Sequence, residues 1–259
     1  MQDRVKERIE IVQEKSHTMR MIKFEHVGLR YGIGPEVLKD ISFSLEPGSF
    51  HFLTGKSGAG KTSLMRLMYL GKRPTRGLIS MFGKNVNGQS AAHMTQLRQK
   101  IGVVFQDFRL MNHLSAFDNI ALPLRIIGRP EKEIKANVEE LMEWVDLHDC
   151  AKASPATLSG GQQQRISIAR AIISKPRLLL ADEPTGNLDD SIGAKLMGLF
   201  EQLNRMGTTI VIATHSKSIL DSFHHPRLVI KDGLLSIETI RSPFSSFEDF
   251  SEQESIYNA

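Results

Sequence analysis

Short apolar runs recur along most of the chain, and each has the length of a β-strand rather than that of a helix. Turn residues such as Gly32, Gly34 and Pro47 separate the first of them. The strands predicted from these runs are 22–27, 37–45, 50–54, 178–181, 209–213 and 228–230. In the second half of the chain they alternate with a predicted helix at 192–205, an order that favours a mainly parallel sheet wrapped by helices.

Between about residues 107 and 160 the pattern changes to helical periodicity. Apolar residues there recur on one helical face, as at Ile134, Val138 and Met142, with charged residues outside it. We therefore expect a helical lobe inserted into an α/β domain that spans residues 21–237. Residues 1–20 are interpreted as a polar N-terminal extension, and residues 238–259 as an acidic, Ser-rich tail that we expect to be disordered.

Composition narrows the class of protein. The chain has 259 residues, of which 41% are hydrophobic and 24% charged, as expected for one large globular domain. Its net charge of +4 is too small to indicate nucleic acid, and no direct nucleic-acid partner is expected. No apolar run reaches the about 20 residues that span a bilayer, and the charged N-terminus is unlike a signal peptide. The single cysteine, Cys150, fits a reducing cytosol, so any membrane role would need another protein to hold the chain there.

A glycine-rich loop lies between a predicted strand and a predicted helix and fits the phosphate-binding pattern G-x-x-x-x-G-K-[ST]. Its glycines allow the backbone to curl around phosphate, so that N–H groups and a helix N-terminus face the anion. Lys61 is expected to reach the β- and γ-phosphates of ATP, and the Thr62 hydroxyl to ligate Mg²⁺. The predicted nucleotide contacts are Gly55, Lys56, Ser57, Gly58, Ala59, Gly60, Lys61, Thr62 and Ser63.

Two adjacent carboxylates, Asp182 and Glu183, follow the apolar strand at 178–181. Apolar residues are expected in a buried parallel strand, but consecutive acids at its end are not. Asp182 suits the coordination shell of Mg²⁺, and Glu183 is placed one residue further, where it could act as a general base on an attacking water. Together with the phosphate loop, the pair predicts a nucleotide-hydrolysing site rather than a structural turn.

A second candidate anion site lies in Leu158-Ser159-Gly160-Gly161-Gln162, which precedes a predicted helix. This sequence resembles the signature of the ATP-binding cassette (ABC) ATPases. The resemblance implies that these residues contact the nucleotide bound by a second copy, so that two cassettes pack head-to-tail as an ATP-dependent homodimer. It also implies a P-loop NTPase fold of the ABC type, with a mainly parallel core sheet, an antiparallel β subdomain and an inserted helical lobe.

The same resemblance implies roles for four single residues. Tyr31 matches the aromatic residue that stacks on adenine, although core packing is an alternative for this side chain. Gln106 matches the glutamine that touches Mg²⁺ and the attacking water, and His215 the histidine that contacts the γ-phosphate. Asp189 matches a residue of the loop that crosses the dimer interface. The implied catalytic set is therefore Glu183, His215, Gln106 and Lys61, with Thr62, Gln106 and Asp182 at the metal.

Within the family, the chain resembles the bacterial cell-division members most, through the segments 73–77, 105–110, 118–123 and 181–190. That resemblance implies an integral membrane partner, a place on the inner face of the bacterial cytoplasmic membrane, and control of cell-wall hydrolysis. One alternative is the ATPase of a lipoprotein-release or macrolide-type export system. Another is a soluble cassette of the DNA-repair or ribosome-associated kind, although neither a long coiled coil nor a second cassette is present.

A strip of apolar and basic residues follows Gln106 and predicts where a membrane partner docks. We expect the groove between the α/β core and the helical lobe to receive a short helix of that partner. The residues expected to line it are Phe108, Arg109, Leu110, Met111, Phe117 and Leu122. For each apolar residue among them, packing into the core of the lobe is the alternative.

Overall fold

Two β-sheets form the framework of the described part of the chain, residues 20–186, 188 and 190–239 of this computed structural model. The strands are β1 (Ile22–Arg30), β2 (Glu36–Leu45), β3 (Phe50–Thr54), β4 (Arg76–Met81), β5 (Lys84–Asn85), β6 (Ile101–Val104), β7 (Leu178–Asp182), β8 (Thr209–Ala213), β9 (Arg227–Lys231) and β10 (Leu234–Glu238). The helices are α1 (Lys61–Met68), α2 (Ala91–Arg98), α3 (Ala116–Ile126), α4 (Glu131–Trp144), α5 (Gly160–Ile172), α6 (Asp190–Arg205) and α7 (Lys217–Ser222), and short 3₁₀ turns lie at His148–Cys150 and Pro155–Thr157.

The larger sheet has the strand order β10-β9-β3-β8-β7-β6. Its strands run parallel except for β10, which pairs antiparallel with β9 at one edge. This confirms the predicted mainly parallel sheet. The carboxyl ends of β3, β6, β7 and β8 therefore meet at one edge of the sheet, where open α/β sheets bind their ligands.

Alternate residues of β7 show how both faces of this sheet are covered. Leu178 and Leu180 belong to a buried cluster that also contains residues of α1 and of the smaller sheet. Leu179 and Ala181 belong to a second cluster with residues of α5 and α6. Because both faces are buried, the strand has a continuous apolar sequence, and for that reason its position could be predicted.

The smaller sheet is antiparallel, with the order β2-β1-β4-β5. The rings of Phe24 and Phe43 stack across its β1–β2 pair, with centroids 4.8 Å apart. The antiparallel β subdomain implied by the family resemblance is thus present. Its strands β4 and β5 were not predicted, because only two of the six residues of the first are buried and the second has only two residues.

Helices α3 and α4 form a lobe between β6 and α5. The predicted helical face is buried at Ile134, Val138 and Met142, which pack with Ile120 of α3 and Ile166 of α5. Among the described residues, no helix is long and apolar enough to cross a bilayer. The predicted extension and tail lie almost wholly outside those residues, except that β10 continues to Glu238.

Candidate nucleotide-binding site

The loop between β3 and α1 requires glycine at two positions. Gly55 has a φ of 145°, and a Cβ atom there would lie 2.4 Å from the Ile230 carbonyl oxygen. Gly60 has a φ of 112°, and its Cβ would lie 2.8 Å from a methyl group of Leu38. Gly60 also caps α1 without any side-chain hydrogen bond, so the first N–H groups of the helix have no side-chain cap. These are the donors that bind an anion at a helix N-terminus.

Lys61 lies against this loop. Its Nζ atom donates to the Gly55 carbonyl at 2.7 Å and to the Lys56 carbonyl at 3.2 Å. The loop also closes on itself, because the Ala59 amide donates to the same Lys56 carbonyl at 3.1 Å. A positive charge is therefore held beside the backbone N–H groups that suit phosphate.

A cleft of about 520 Å³ brings most of the predicted site residues together. It is lined by the phosphate loop and by polar residues from the carboxyl ends of three strands. The lining residues are Val37, Gly55, Lys56, Ser57, Gly58, Gly60, Lys61, Thr62, Ser63, Gln106, Asp182, Glu183 and His215. Ala59 does not line the cleft, because its methyl group packs against the buried core.

Asp182 carries the chemistry expected of a metal ligand. Burial raises the pKa of its carboxyl group, and the neighbouring Glu183 and Asp107 raise that pKa further. The Lys61 charge and a hydrogen bond with Thr62 act in the opposite direction. A half-buried carboxylate beside a hydroxyl and a second carboxylate is a hard oxygen donor set, which fits Mg²⁺.

Glu183 is held by two neighbours at the end of β8. Its Oε1 atom lies 2.6 Å from His215 Nδ1, and the Thr214 hydroxyl donates to its Oε2 atom at 3.2 Å. The Glu183 side chain is 12% exposed, and its backbone adopts a left-handed conformation with φ of 49°. Thr214 was missed by the sequence analysis, although its position next to His215 is a signal that could have found it.

Gln106 follows β6 and lies between two adjoining cavities. It lines the cleft of about 520 Å³ and also a second cavity of about 410 Å³, which Tyr69, Phe105 and Asp107 line as well. The residue therefore reaches the nucleotide cleft from the loop that leads into the helical lobe.

Tyr31 is not a core residue. Its side chain is 38% exposed, so the core-packing alternative is wrong. The hydroxyl lies 3.1 Å from Ser63 Oγ and accepts from Arg66 at 3.4 Å, while the Lys72 ammonium lies 5.7 Å from the ring centroid. Burial would raise the pKa of Tyr31, but the contacts with Ser63 and Arg66 outweigh it and the pKa is lowered.

The signature residues lie outside the cleft. Ser159 caps α5 by accepting from the Gln162 amide at 3.2 Å, and its own amide donates to Gln162 Oε1 at 2.9 Å. The Gln162 side chain also donates to Cys150 Sγ at 3.2 Å. Ser159 and Gly160 are exposed, and Gly161 is partly so. A single chain therefore does not bring its signature to its own phosphate loop. Asp189 lies outside the described residues.

A groove of about 500 Å³ separates α2 and β6 from the helical lobe; we call it the docking groove. Arg109, Met111 and Leu122 line it, as expected from the sequence. The expectation was wrong for Phe108, Leu110 and Phe117. Leu110 and Phe117 pack against the buried core of the lobe. Phe108 and Arg109 both have left-handed backbones, which change the direction of the chain directly after Gln106, so that spacing along the sequence does not tell which side chains face the groove. Pro123, Ile126 and Ile127 of the lobe complete the apolar wall.

The mainly parallel sheet, the phosphate loop and the paired carboxylates define a P-loop nucleotide hydrolase. The family model described as ABC transporter matches residues 38–186, and the chain belongs to that family. It is an ABC ATPase, that is, a nucleotide-binding subunit.

Similar proteins include cell-division ATP-binding proteins of several bacteria. The chain is 42% identical over 215 residues to "Cell division ATP-binding protein FtsE" of Escherichia coli K12, covering 83% of this chain and 97% of that protein. It is 39% identical over 228 residues to the protein of the same name in Bacillus subtilis 168, covering 88% and 100%.

Among solved structures, the ATP-binding cassette MJ0796 is similar in a dimeric post-hydrolysis state bound to ADP and Pi. The TM-score is 0.80 at 32% identity, with 86% of this chain and 100% of that one covered.

Proposed function

We propose that the chain is the ATPase of an FtsEX-like complex at the inner face of the bacterial cytoplasmic membrane, where ATP-driven dimerisation acts on an integral membrane partner of the FtsX type. The observation that carries this proposal is the docking groove, which opens beside Gln106 and thus beside the nucleotide cleft. A partner seated there would contact the loop that carries Gln106.

Hydrolysis would use the residues of the cleft. The phosphate loop and Lys61 hold the β- and γ-phosphates, and Tyr31 offers an exposed ring to the adenine. Glu183 accepts a proton from the attacking water, and His215 holds the Glu183 carboxylate in position and contacts the γ-phosphate. Thr62, Asp182 and Gln106 would hold Mg²⁺, which when bound neutralises charge on the phosphate oxygens. Phosphate and ADP then leave the cleft.

A homodimer would complete each site. Ser159, Gly160 and Gly161 form an exposed helix N-terminus that does not line the nucleotide cleft of the same chain. Facing the cleft of a second copy, this N-terminus would bind the γ-phosphate of the nucleotide held there. The dimeric structures of MJ0796, similar to this chain at a TM-score of 0.80, support a homodimer.

The walls of the docking groove suit a short amphipathic helix. Met111 and Ile126 are 43% and 62% exposed, an unusual amount for large apolar residues on neighbouring elements. Arg98, Arg109 and Arg170 also line the groove, and Arg109 is already paired with Asp107. A helix with an apolar face would bury Met111 and Ile126, and an acidic residue on its flank would pair with Arg98 or Arg170.

The cell-division role is favoured over an export role by the names of the similar proteins. The relatives from Escherichia coli, Bacillus subtilis and Mycobacterium tuberculosis, at 39–44% identity, all carry the FtsE name. The complex would then control cell-wall hydrolysis at division. Deletion of the gene should produce filamentous cells, which the parental chain rescues and the Glu183→Gln variant does not.

The docking proposal is tested by changing the groove without touching the cleft. The double variant Met111→Ser, Ile126→Ser should leave the membrane fraction in cells that contain the partner, while its affinity for fluorescent ATP stays within about twofold. Met206→Ser is the matched control, because Met206 is 76% exposed at the end of α6 and does not line the groove. Recruitment that survives the double change would place the partner elsewhere on the chain.

A further inference from the structure

The loop that carries Gln106 has an unfavourable backbone. Phe108 and Arg109, which lie in what we call the Gln106 loop (residues 105–111), have φ of 56° and 49°. Two consecutive left-handed residues other than glycine are costly, so contacts elsewhere must hold them. The Arg109 side chain helps locally, because it donates to Asp107 at 3.0 Å and lies 4.1 Å from the centroid of the Phe105 ring.

The contacts that hold the two left-handed residues from outside come from the signature helix α5, whereas Asn119 of α3 holds Met111 at the end of the loop. Arg170 donates through Nη2 to the Phe108 carbonyl and through Nη1 to the Arg109 carbonyl, each at 2.7 Å. The Ser167 hydroxyl donates to the same Phe108 carbonyl at 3.2 Å. Both left-handed residues are therefore anchored by one guanidinium group, about three helical turns beyond Ser159.

This use of an arginine is costly in itself. Burial lowers the pKa of Arg170, and no carboxylate among the described residues counteracts that effect. Among the described residues, its hydrogen bonds go to the two backbone carbonyls alone. Arg170 is partly buried at the wall of the docking groove. A partly buried cation that bonds only backbone oxygens is retained at a cost in desolvation, which a lysine of similar charge could not offset with the same forked geometry.

We propose that Arg170 is a positioning residue that holds the Gln106 loop in its left-handed form and ties it to the signature helix. When the nucleotide of a second copy engages Ser159, α5 and the Gln106 loop then move together, so that Gln106 stays at the cleft that it already lines. The inference rests on the proposed role of Gln106 in hydrolysis.

The first test compares Arg170→Lys with the parental full-length chain. Lysine keeps the charge but cannot bond both carbonyls, so we expect kcat for Mg-ATP hydrolysis to fall about tenfold, the usual effect of losing a charged hydrogen bond. The affinity for fluorescent ATP should stay within about twofold, since the phosphate loop is untouched. Hydrogen exchange at residues 106–110 should accelerate about tenfold. Ser167→Ala should change each value in the same direction by a smaller factor, and Arg129→Lys, an exposed arginine of the lobe, should change none.

A second test uses the backbone itself. In the Arg170→Lys background, Arg109→Gly and Arg109→Ala remove the same side chain, but only glycine adopts a positive φ without cost. We expect Gly to restore kcat several-fold more than Ala.

Three outcomes would overturn the proposal: an unchanged kcat in Arg170→Lys, parallel losses of kcat and ATP affinity, or equal rescue by Gly and Ala. Gln106→Ala separates this failure from that of the proposed function. A parental kcat in Gln106→Ala would refute the role of Gln106. A low kcat in Gln106→Ala with a parental kcat in Arg170→Lys would refute only the proposed role of Arg170.

Discussion

Replacing Glu183 with glutamine should stop ATP hydrolysis and leave ATP binding intact. Glutamine has the same shape, and its amide can still accept from the Thr214 hydroxyl and lie against His215, the two contacts that hold Glu183 at 3.2 and 2.6 Å. Its carbonyl oxygen, however, is far too weak a base to accept a proton from water. The change therefore isolates proton transfer from positioning.

The expected magnitude follows from these contacts. General-base catalysis contributes about 10²- to 10⁴-fold, which corresponds to roughly 3–5 kcal/mol of transition-state stabilisation. Because the Glu183 side chain is only 12% exposed and touches both neighbours, bulk water is poorly placed to replace it as the base. We therefore expect the upper part of that range. Glu183→Asp keeps a carboxylate but withdraws it by one methylene, a displacement of more than 1 Å that should cost about 10²-fold.

The assay is steady-state phosphate release with Mg-ATP, paired with equilibrium binding of a fluorescent ATP analogue. His215→Ala is the control that separates the base from its neighbour, because it leaves the carboxylate in place. If the Gln variant lost less than tenfold in kcat while His215→Ala lost 10³-fold or more, the histidine rather than Glu183 would be the base. Turnover of the Gln variant at the parental rate would refute the reasoning outright.

Two further predictions concern the ATP sites shared between two copies and the half-buried carboxylate of Asp182. Lys61→Ala should weaken ATP binding, and mixing it with Ser159→Arg should restore part of the activity, because one site of each mixed dimer carries neither lesion; confirmed mixed dimers without any recovery would count against head-to-tail pairing. Asp182→Asn should raise the melting temperature of the nucleotide-free chain at pH 7.5, by about 2–4 °C for each kcal/mol relieved. Burial raises the pKa of Asp182 in the folded chain, so ionisation of this group lowers the stability of the fold, fully at pH values above the raised pKa. The benefit of asparagine should therefore shrink as the pH falls from the raised pKa toward the usual value of 3.8. Asp221→Asn, which neutralises an exposed carboxylate, should show no such gain.

Much of the fold could be predicted because the information is local. The parallel strands β3, β7 and β8 are buried on both faces, so their sequences are apolar over almost their whole length. The phosphate loop could be recognised because glycine is required at Gly55 and Gly60 by the backbone itself. Strands β4, β5, β6 and β10 escaped prediction, because β5 and β6 have only two and four residues, and most residues of β4 and β10 are not buried.

The candidate site likewise has residues that the sequence predicts and residues that only the structure places. Residue type and spacing sufficed to choose Lys61, Asp182, Glu183 and His215, because each follows a strand that ends at the same edge of the sheet. Which side chains line the docking groove could not be read from spacing. The direction of Phe108 depends on a left-handed backbone held by Arg170, 62 residues further along the chain. No local pattern records such a contact, so only the tertiary structure decides which side chains after Gln106 face the groove and which pack into the lobe.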